Sequence, residues 1–199
     1  MTATKVTQTE RVALALVALA IAAASPADCR TRAFDVQHST MTVHVYKQGL
    51  FSFLADDHEV SAPILSGSYD DMAKTVELTV DATKMRVLDP KLPAQKRDSV
   101  QTNMAGPRVL DVGTHPTISF HSTTIDEADP NRWTVTGTLE LRGQTHPISV
   151  GVLRTDATHF SGSATIRQTV FGITPIKIAG GAVSVKDDVS VEFDIAMPP

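Results

Sequence analysis

The chain has 199 residues, with 18 Lys and Arg against 22 Asp and Glu, which gives a formal net charge of −4. This length suits one domain of ordinary size, and a mildly acidic surface argues against nucleic acid or an anionic membrane as the main partner. The only cysteine is Cys29, so no disulfide within the chain stabilises the fold, and whether Cys29 is modified stays open.

The first residues have the layout of a secretory signal peptide. Lys5 and Arg11 precede an uncharged run of Val, Ala, Leu and Ile at 12–24, and small residues follow it. The run has about 13 residues, fewer than the roughly 20 that a membrane-spanning helix needs, which disfavours the alternative of a retained anchor. We therefore predict a signal peptide at 1–27 and a periplasmic or secreted domain at 28–199.

Alternating apolar and polar residues predict strands along most of the remaining chain. In the first strand, Met41, Val43 and Val45 share one face, and the residues between them are polar. Pro63 interrupts the second strand, where proline favours an edge or a bulge, and polar residues predict a turn at 69–72. The predicted strands cover residues 34–46, 59–68, 75–81, 117–122, 133–142, 147–154, 160–167 and 189–195.

One stretch breaks the strand pattern. Residues 94–104 are rich in helix formers and carry two apolar anchors, Val100 and Met104, which predicts a mostly solvated helix. Residues 107–110 add one further turn, and a Gly-rich connection covers 170–185. Because a succession of strands with little helix to cover it leaves unpaired edges, closure is favoured. The sequence therefore predicts an all-β fold, an antiparallel β-barrel with a short helical insert around residues 94–110.

The apolar faces of these strands either fill a core or line a cavity. A barrel of about eight strands is just wide enough to be filled by side chains or to hold one slender ligand. Both interpretations stay open, because lining and filling use the same residue types. The predicted inward-facing set is Met41, Val43, Val45, Val76, Leu78, Val80, Ile118, Phe120, Val135, Leu139, Leu141, Ile148, Val150, Val152, Ala164, Ile166, Val189, Val191 and Phe193.

Four polar residues are candidate contacts for the head group of a ligand: Asp57, His58, Arg142 and Arg167. Asp57 and His58 are neighbours, and an imidazole beside a carboxylate is a common metal-ligand or acid–base pair. However, the seven histidines show no His-x-His or His-x-x-x-His spacing, so no metal site is predicted. No Gly-x-Ser-x-Gly motif occurs either, and no catalytic residue is predicted.

Five motifs occur along the chain: FDVQHS at 34–39, LDVGTHPTISF at 110–120, GTLELRGQTHP at 137–147, IRQTVFGI at 166–173 and DDVSVEF at 187–193. Together they resemble the motifs of the YceI-like family, whose members are secreted bacterial β-barrels of lipocalin-like shape. The resemblance covers roughly residues 33–196, and it implies an extended antiparallel barrel around a long apolar tunnel. In characterised relatives a polyisoprenoid chain, such as a quinone tail or a polyprenyl phosphate, occupies that tunnel.

The resemblance leads us to expect a lipid-binding protein that holds or carries an isoprenoid or quinone-like chain inside a lipocalin-like barrel. We expect an apolar lipid as its partner, no nucleic acid, transient contact with a membrane or membrane protein, and no cofactor apart from such a bound lipid. Two alternatives stay open. One is an enzyme or redox accessory that uses Asp57 and His58 at the barrel mouth, and the other is a structural barrel without a small ligand.

Overall fold

The structure, a computed structural model, describes residues 31–49, 57–178 and 182–198. The predicted signal peptide at 1–27 and Cys29 lie outside the described residues. Within the described part of the chain, no helix has the length and apolar composition that crossing a bilayer requires.

Antiparallel strands make up most of the described chain, and one α-helix interrupts them. The helix α1 covers Ala94–Ala105, and two short 3-10 turns cover Ala82–Lys84 and Gln168–Phe171. The strands are β1 Thr31–Ala33, β2 Asp35–Val45, β3 Lys47–Gln48, β4 His58–Ser61, β5 Ile64–Asp70, β6 Thr75–Asp81, β7 Arg86–Val87, β8 Thr117–Asp129, β9 Arg132–Leu141, β10 Gln144–Arg154, β11 His159–Arg167, β12 Lys177–Ile178, β13 Val183–Val185 and β14 Asp188–Ala196.

The main sheet has eleven strands in the order β1-β5-β6-β8-β9-β10-β11-β14-β2-β4-β7, and it closes on itself. β1 and β2 form one run of chain broken only at Phe34. This run pairs with β14 on one side and with β5 and β4 on the other. The pairing with β5 and β4 is continued by two backbone hydrogen bonds of 2.9 Å. The N–H of Phe34 donates to the carbonyl oxygen of Gly67, and the N–H of Ala62 donates to the carbonyl oxygen of Met41. The predicted antiparallel barrel with a helical insert is therefore confirmed.

The two ends of the barrel differ. β4 begins and β6 ends at the end where α1 lies, which we call the α1 end. Trp133 and Phe160 lie at the opposite end, the Trp133 end, with their ring centroids 6.1 Å apart. A small sheet of β12, β13 and β3 follows strands that finish at the α1 end. The long connections thus gather at the α1 end, whereas short turns close the Trp133 end.

The predicted turn at 69–72 is wrong by two residues. β5 continues through Asp70, and the turn occupies 71–74. The Asp70 carboxylate accepts the backbone N–H groups of Met72 at 2.8 Å and Ala73 at 2.7 Å. The N–H of Ala73 contributes most to holding the pKa of Asp70 below its ordinary value, because hydrogen bonds to the charged form favour it. Asp70 therefore begins the turn rather than sitting inside it.

A similar aspartate fixes the turn between β10 and β11. The Asp156 carboxylate accepts the backbone N–H of Thr158 at 2.8 Å and that of His159 at 2.9 Å. The Thr158 N–H is the largest contribution, followed by the His159 ring, and together they lower the pKa of Asp156 to about 2. Local side-chain to backbone hydrogen bonds of this kind set where a strand can end.

Glycines lie under phenylalanine rings on the inner wall. A Cβ at any of these glycines would come within 3 Å of the facing ring, so only glycine lets the ring lie flat against the wall. Flat rings extend less far toward the barrel axis and leave the centre open. The pairs are Gly67 with Phe34, Gly137 with Phe120, and Gly162 with Phe193.

A glutamine side chain attaches α1 to the barrel. None of the helix residues is fully buried, and its apolar contact with the core consists of Val100 and Met104. Gln101 Oε1 accepts the backbone N–H of Val87 at 2.9 Å, and Gln101 Nε2 donates to the carbonyl oxygen of Met85 at 3.0 Å. The Gln101 amide thereby forms hydrogen bonds with backbone groups at β7 that a neighbouring strand would otherwise form.

Gln101→Ala is expected to loosen α1 without unfolding the barrel. Two hydrogen bonds of about 1 kcal/mol each would be lost, which predicts amide exchange in α1 roughly tenfold faster or more. Hydrogen–deuterium exchange measures this, with the amides of β9 and β10 as an internal reference. Thr102→Ala is the matched control, since that hydroxyl donates only to the helix carbonyl of Asp98. Unchanged exchange in α1 would contradict the attachment.

Candidate ligand-binding cavity

A long cavity of about 990 Å³ occupies the interior of the barrel. Its lining includes residues from β1, β2, β4, β5, β6, β8, β9, β10, β11 and β14, and it reaches both the α1 end and the Trp133 end. This volume is at the upper end of the range usual for small-molecule sites. A slender molecule would fit along the barrel axis.

Every member of the predicted inward-facing set lies on the wall of this cavity. The register explains why, because Leu78 pairs with Phe120 and Phe120 pairs with Leu139 across three neighbouring strands. Residues directly opposite each other in a sheet point to the same face. On the other side, Val43 of β2 pairs with Val191 of β14, which pairs with Ala164 of β11. The inward-facing apolar residues thus continue from strand to strand around the barrel.

The interior of the barrel is open along most of its length, and near the α1 end side chains fill part of it. There Phe171 is 1% exposed and Ile173 is 3% exposed, and both belong to the buried core cluster. Farther along the wall, Leu78, Phe120 and Ile148 pack against this cluster and are only partly buried, because they also line the cavity. The interpretation of a core completely filled by its own side chains is therefore wrong.

Several wall residues escaped the sequence analysis. Trp133 and Ile125 line the cavity, and so do Phe160 and Ile195 near the same end. Trp133 could have been found, since it precedes Val135 by two residues and strand side chains repeat with period two. Phe160 and Ile195 could have been found in the same way, since each lies inside a predicted strand and in phase with Ala164 or Phe193. Ile125 could not, because the predicted strand ended at residue 122 whereas β8 runs to Asp129.

His58 lies on the cavity wall, but its partner is not Asp57. The Nδ1 atom of His58 is 2.5 Å from Oδ2 of Asp89, whose side chain is 8% exposed. Asp57 instead accepts the backbone N–H of Lys47 at 2.9 Å and does not line the cavity. The predicted pairing of Asp57 with His58 is therefore wrong. Successive strand residues point to opposite faces, so chain neighbours rarely form such a pair.

The two predicted arginines do not reach the cavity wall. Arg142 donates to the carbonyl oxygens of Pro107 at 2.8 Å and Gly172 at 2.9 Å, which ties together two connections at the α1 end. Arg167 is exposed and forms an ion pair with Asp188 at 3.2 Å. Neither is among the described residues that line the cavity, so as head-group contacts both are corrected to structural and surface roles.

One face of α1 supplies polar groups that the sequence analysis missed. Residues at positions three and four apart share a helix face, and the face over the cavity follows that spacing. It combines polar side chains with the apolar anchors Val100 and Met104. The polar members are Gln95, Lys96, Ser99 and Asn103.

The Trp133 end carries cations that are already engaged. Arg32 contacts Asp71 through its Nε at 3.1 Å and through a terminal nitrogen at 3.2 Å. Arg154 lies over the ring of Phe160, with its guanidinium carbon 5.6 Å from the ring centroid. Among the described residues, no group of three or more His, Cys, Asp or Glu side chains could hold a metal ion.

Comparison with known proteins relates the chain to one protein family. The family model described as YceI-like domain matches residues 31–197. A search of curated proteins finds no match. The crystal structure of Burkholderia cenocepacia BcnA is similar to the chain, with 23% identity and a TM-score of 0.55, over 81% of this chain and 98% of that one. A Campylobacter jejuni YCEI protein shares 15% identity over 78% of this chain and 85% of its own, with a TM-score of 0.49.

Proposed function

The chain belongs to the YceI-like family, and from this premise we propose that it is a barrel protein that holds the apolar chain of an isoprenoid or quinone-like lipid in its interior. The observation that carries the proposal is the cavity of about 990 Å³ whose wall consists mainly of Val, Leu, Ile and Phe side chains. No reaction is part of the proposed function.

The physical basis is the burial of apolar surface. Transfer of apolar area from water contributes about 25 cal/mol per Å², so a long hydrocarbon chain gains affinity along its whole length. A closed barrel can bury such a hydrocarbon chain without a large opening, because the hydrocarbon chain lies parallel to the strands. A slender, flexible lipid tail fits the elongated shape better than a flat or bulky molecule does.

The proposal extends to location and partners. A domain at 28–199 that follows a signal peptide would act in the periplasm or outside the cell. It would exchange its lipid in transient contact with a membrane or a membrane protein, because free lipid of this kind is scarce in water. The acidic balance of the chain, with a net charge of −4, supports the expectation that nucleic acid is not a partner.

Native mass spectrometry of the protein purified from its natural host is the direct test. We expect a species heavier than the polypeptide, which reverts to the polypeptide mass after extraction with organic solvent. The extract should contain a molecule with a long apolar chain. A polypeptide without any added mass, which also fails to bind geranylgeraniol or its methyl ether in vitro, would contradict the proposed function.

A further inference from the structure

We propose that the α1 end of the cavity receives a hydroxyl head group, with His58 Nε2 accepting the hydroxyl hydrogen and Lys96 and Asn103 donating to the hydroxyl oxygen. This inference rests on the proposed function and adds the chemistry and the direction of the ligand. The apolar chain would then extend from this head toward the Trp133 end.

The first step is the orientation of the His58 ring. Asp89 is nearly buried, and its second oxygen accepts the backbone N–H of Glu59 at 2.9 Å, so the carboxylate has a fixed position. A carboxylate only accepts hydrogen bonds, and therefore the neutral ring carries its hydrogen on Nδ1, which faces Asp89. The Nε2 atom is left as an acceptor. It has no hydrogen-bond partner within the residues that the structure describes.

Two donors lie on α1 at the same end of the cavity. Lys96 and Asn103 lie two turns apart on the face of α1 that lines the cavity. In the described chain neither side chain has a hydrogen bond or an ion pair. Ser99 and Gln168, in contrast, already donate to the carbonyl oxygens of Gln95 and Lys186 at 2.9 and 2.8 Å.

The polar groups at the two ends of the cavity set the direction of the ligand. At the Trp133 end Arg32 is held by Asp71, and Arg154 is stacked on Phe160, so both cations already have partners. Among the described residues, the α1 end instead offers the acceptor Nε2 of His58 and, beside the unpaired amide of Gln95, the donors Lys96 and Asn103 without partners. A hydroxyl uses both kinds, because it donates one hydrogen bond and accepts others. An ether or a quinone carbonyl offers no hydrogen for Nε2.

Matched ligands test this chemistry. Geranylgeraniol and its methyl ether share one chain and differ in the hydroxyl hydrogen, and 4-nonylphenol and 4-nonylanisole form the same pair with an aromatic head. We expect the wild-type protein to bind each hydroxyl compound about tenfold more tightly than its ether, which corresponds to about 1.4 kcal/mol. A preference within only one pair supports the proposal and identifies the hydroxyl as aliphatic or phenolic.

Variants assign the preference to particular atoms. His58→Phe should lower the affinity for the alcohol to that for the ether and leave the ether unchanged. Lys96→Met should weaken alcohol and ether alike, since both retain the oxygen that accepts from Lys96. Lys96 is exposed, so this variant remains informative if His58→Phe does not fold. His121→Phe is the control, because His121 lies on the outer face of β8 and pairs with Glu77 at 3.2 Å.

The outcomes separate the two proposals. Equal affinity for alcohol and ether in the wild-type protein would overturn the hydroxyl site while leaving the lipid-holding function intact. A preference that survives in His58→Phe would overturn the role of Nε2, and an unchanged affinity in Lys96→Met would overturn the role of that ammonium. If none of the four compounds binds, the proposed function itself fails.

Discussion

Ala164→Phe is expected to lower the affinity for a bound apolar chain at least about tenfold while the barrel stays folded, a loss of about 1.4 kcal/mol in binding free energy. Ala164 lies on the cavity wall in β11, in the row that continues through Val191 of β14 to Val43 of β2. A phenylalanine ring there would extend into the open centre and occupy the space of the ligand.

The only tryptophan, Trp133, lines the cavity, so its fluorescence reports occupancy in a titration with geranylgeraniol. Thr165→Phe is the matched control, because Thr165 is exposed on the outer face of the same strand. That variant should bind like the wild-type protein. An unchanged affinity in Ala164→Phe would contradict the proposed site. A loss of 1–3 kcal/mol in unfolding free energy, as overpacking causes, would indicate that the interior has no free space near Ala164.

Phe171→Ala should destabilise the protein by about 3–5 kcal/mol, the usual range for removing a buried aromatic side chain. Phe171 is 1% exposed and is the largest fully buried side chain in the described chain. Its ring contacts the edge of His146, with centroids 5.1 Å apart, and it closes the packed part of the interior at the α1 end. A small domain has only about 5–15 kcal/mol of stability in total, so the effect is large.

Urea unfolding followed by circular dichroism measures this change. Val170→Ala is the matched control at the preceding residue, which is 43% exposed and should change the stability by less than about 0.5 kcal/mol. Similar midpoints for Phe171→Ala and the wild-type protein would show that the α1 end is not a packed core. The large effect is also expected to depend little on ligand, since Phe171 itself is not part of the cavity wall.

The sequence predicted the strands well where alternation was strict and less well where it faded. Strand β6 at Thr75–Asp81 matches the prediction, because Val76, Leu78 and Val80 repeat without interruption. Strand β8 is longer than predicted, since its second half, up to Asp129, is mostly polar and exposed and carries little periodic signal. The helix was predicted from composition and ends one residue beyond the predicted boundary.

The apolar wall of the candidate site could be predicted from the sequence, whereas its polar groups could not. The apolar wall could be predicted because period-two alternation is a local property, and Val43 and Val45 share a face in any extended strand. The polar groups could not. Asp89 meets His58 across 31 residues of chain, and Arg142 meets Gly172 across 30, so both contacts depend on how distant segments are brought together.

By itself, the sequence determined which side chains lie on a common apolar face and, through its motifs, the family and the barrel. Only the tertiary structure decided that the faces enclose open space, and it also decided which polar groups reach that space. The reason is that closure depends on β1 and β2 pairing with strands on both sides, which is a long-range property. The width of the interior depends further on rings such as Phe193 lying flat on Gly162, and no local pattern encodes that contact.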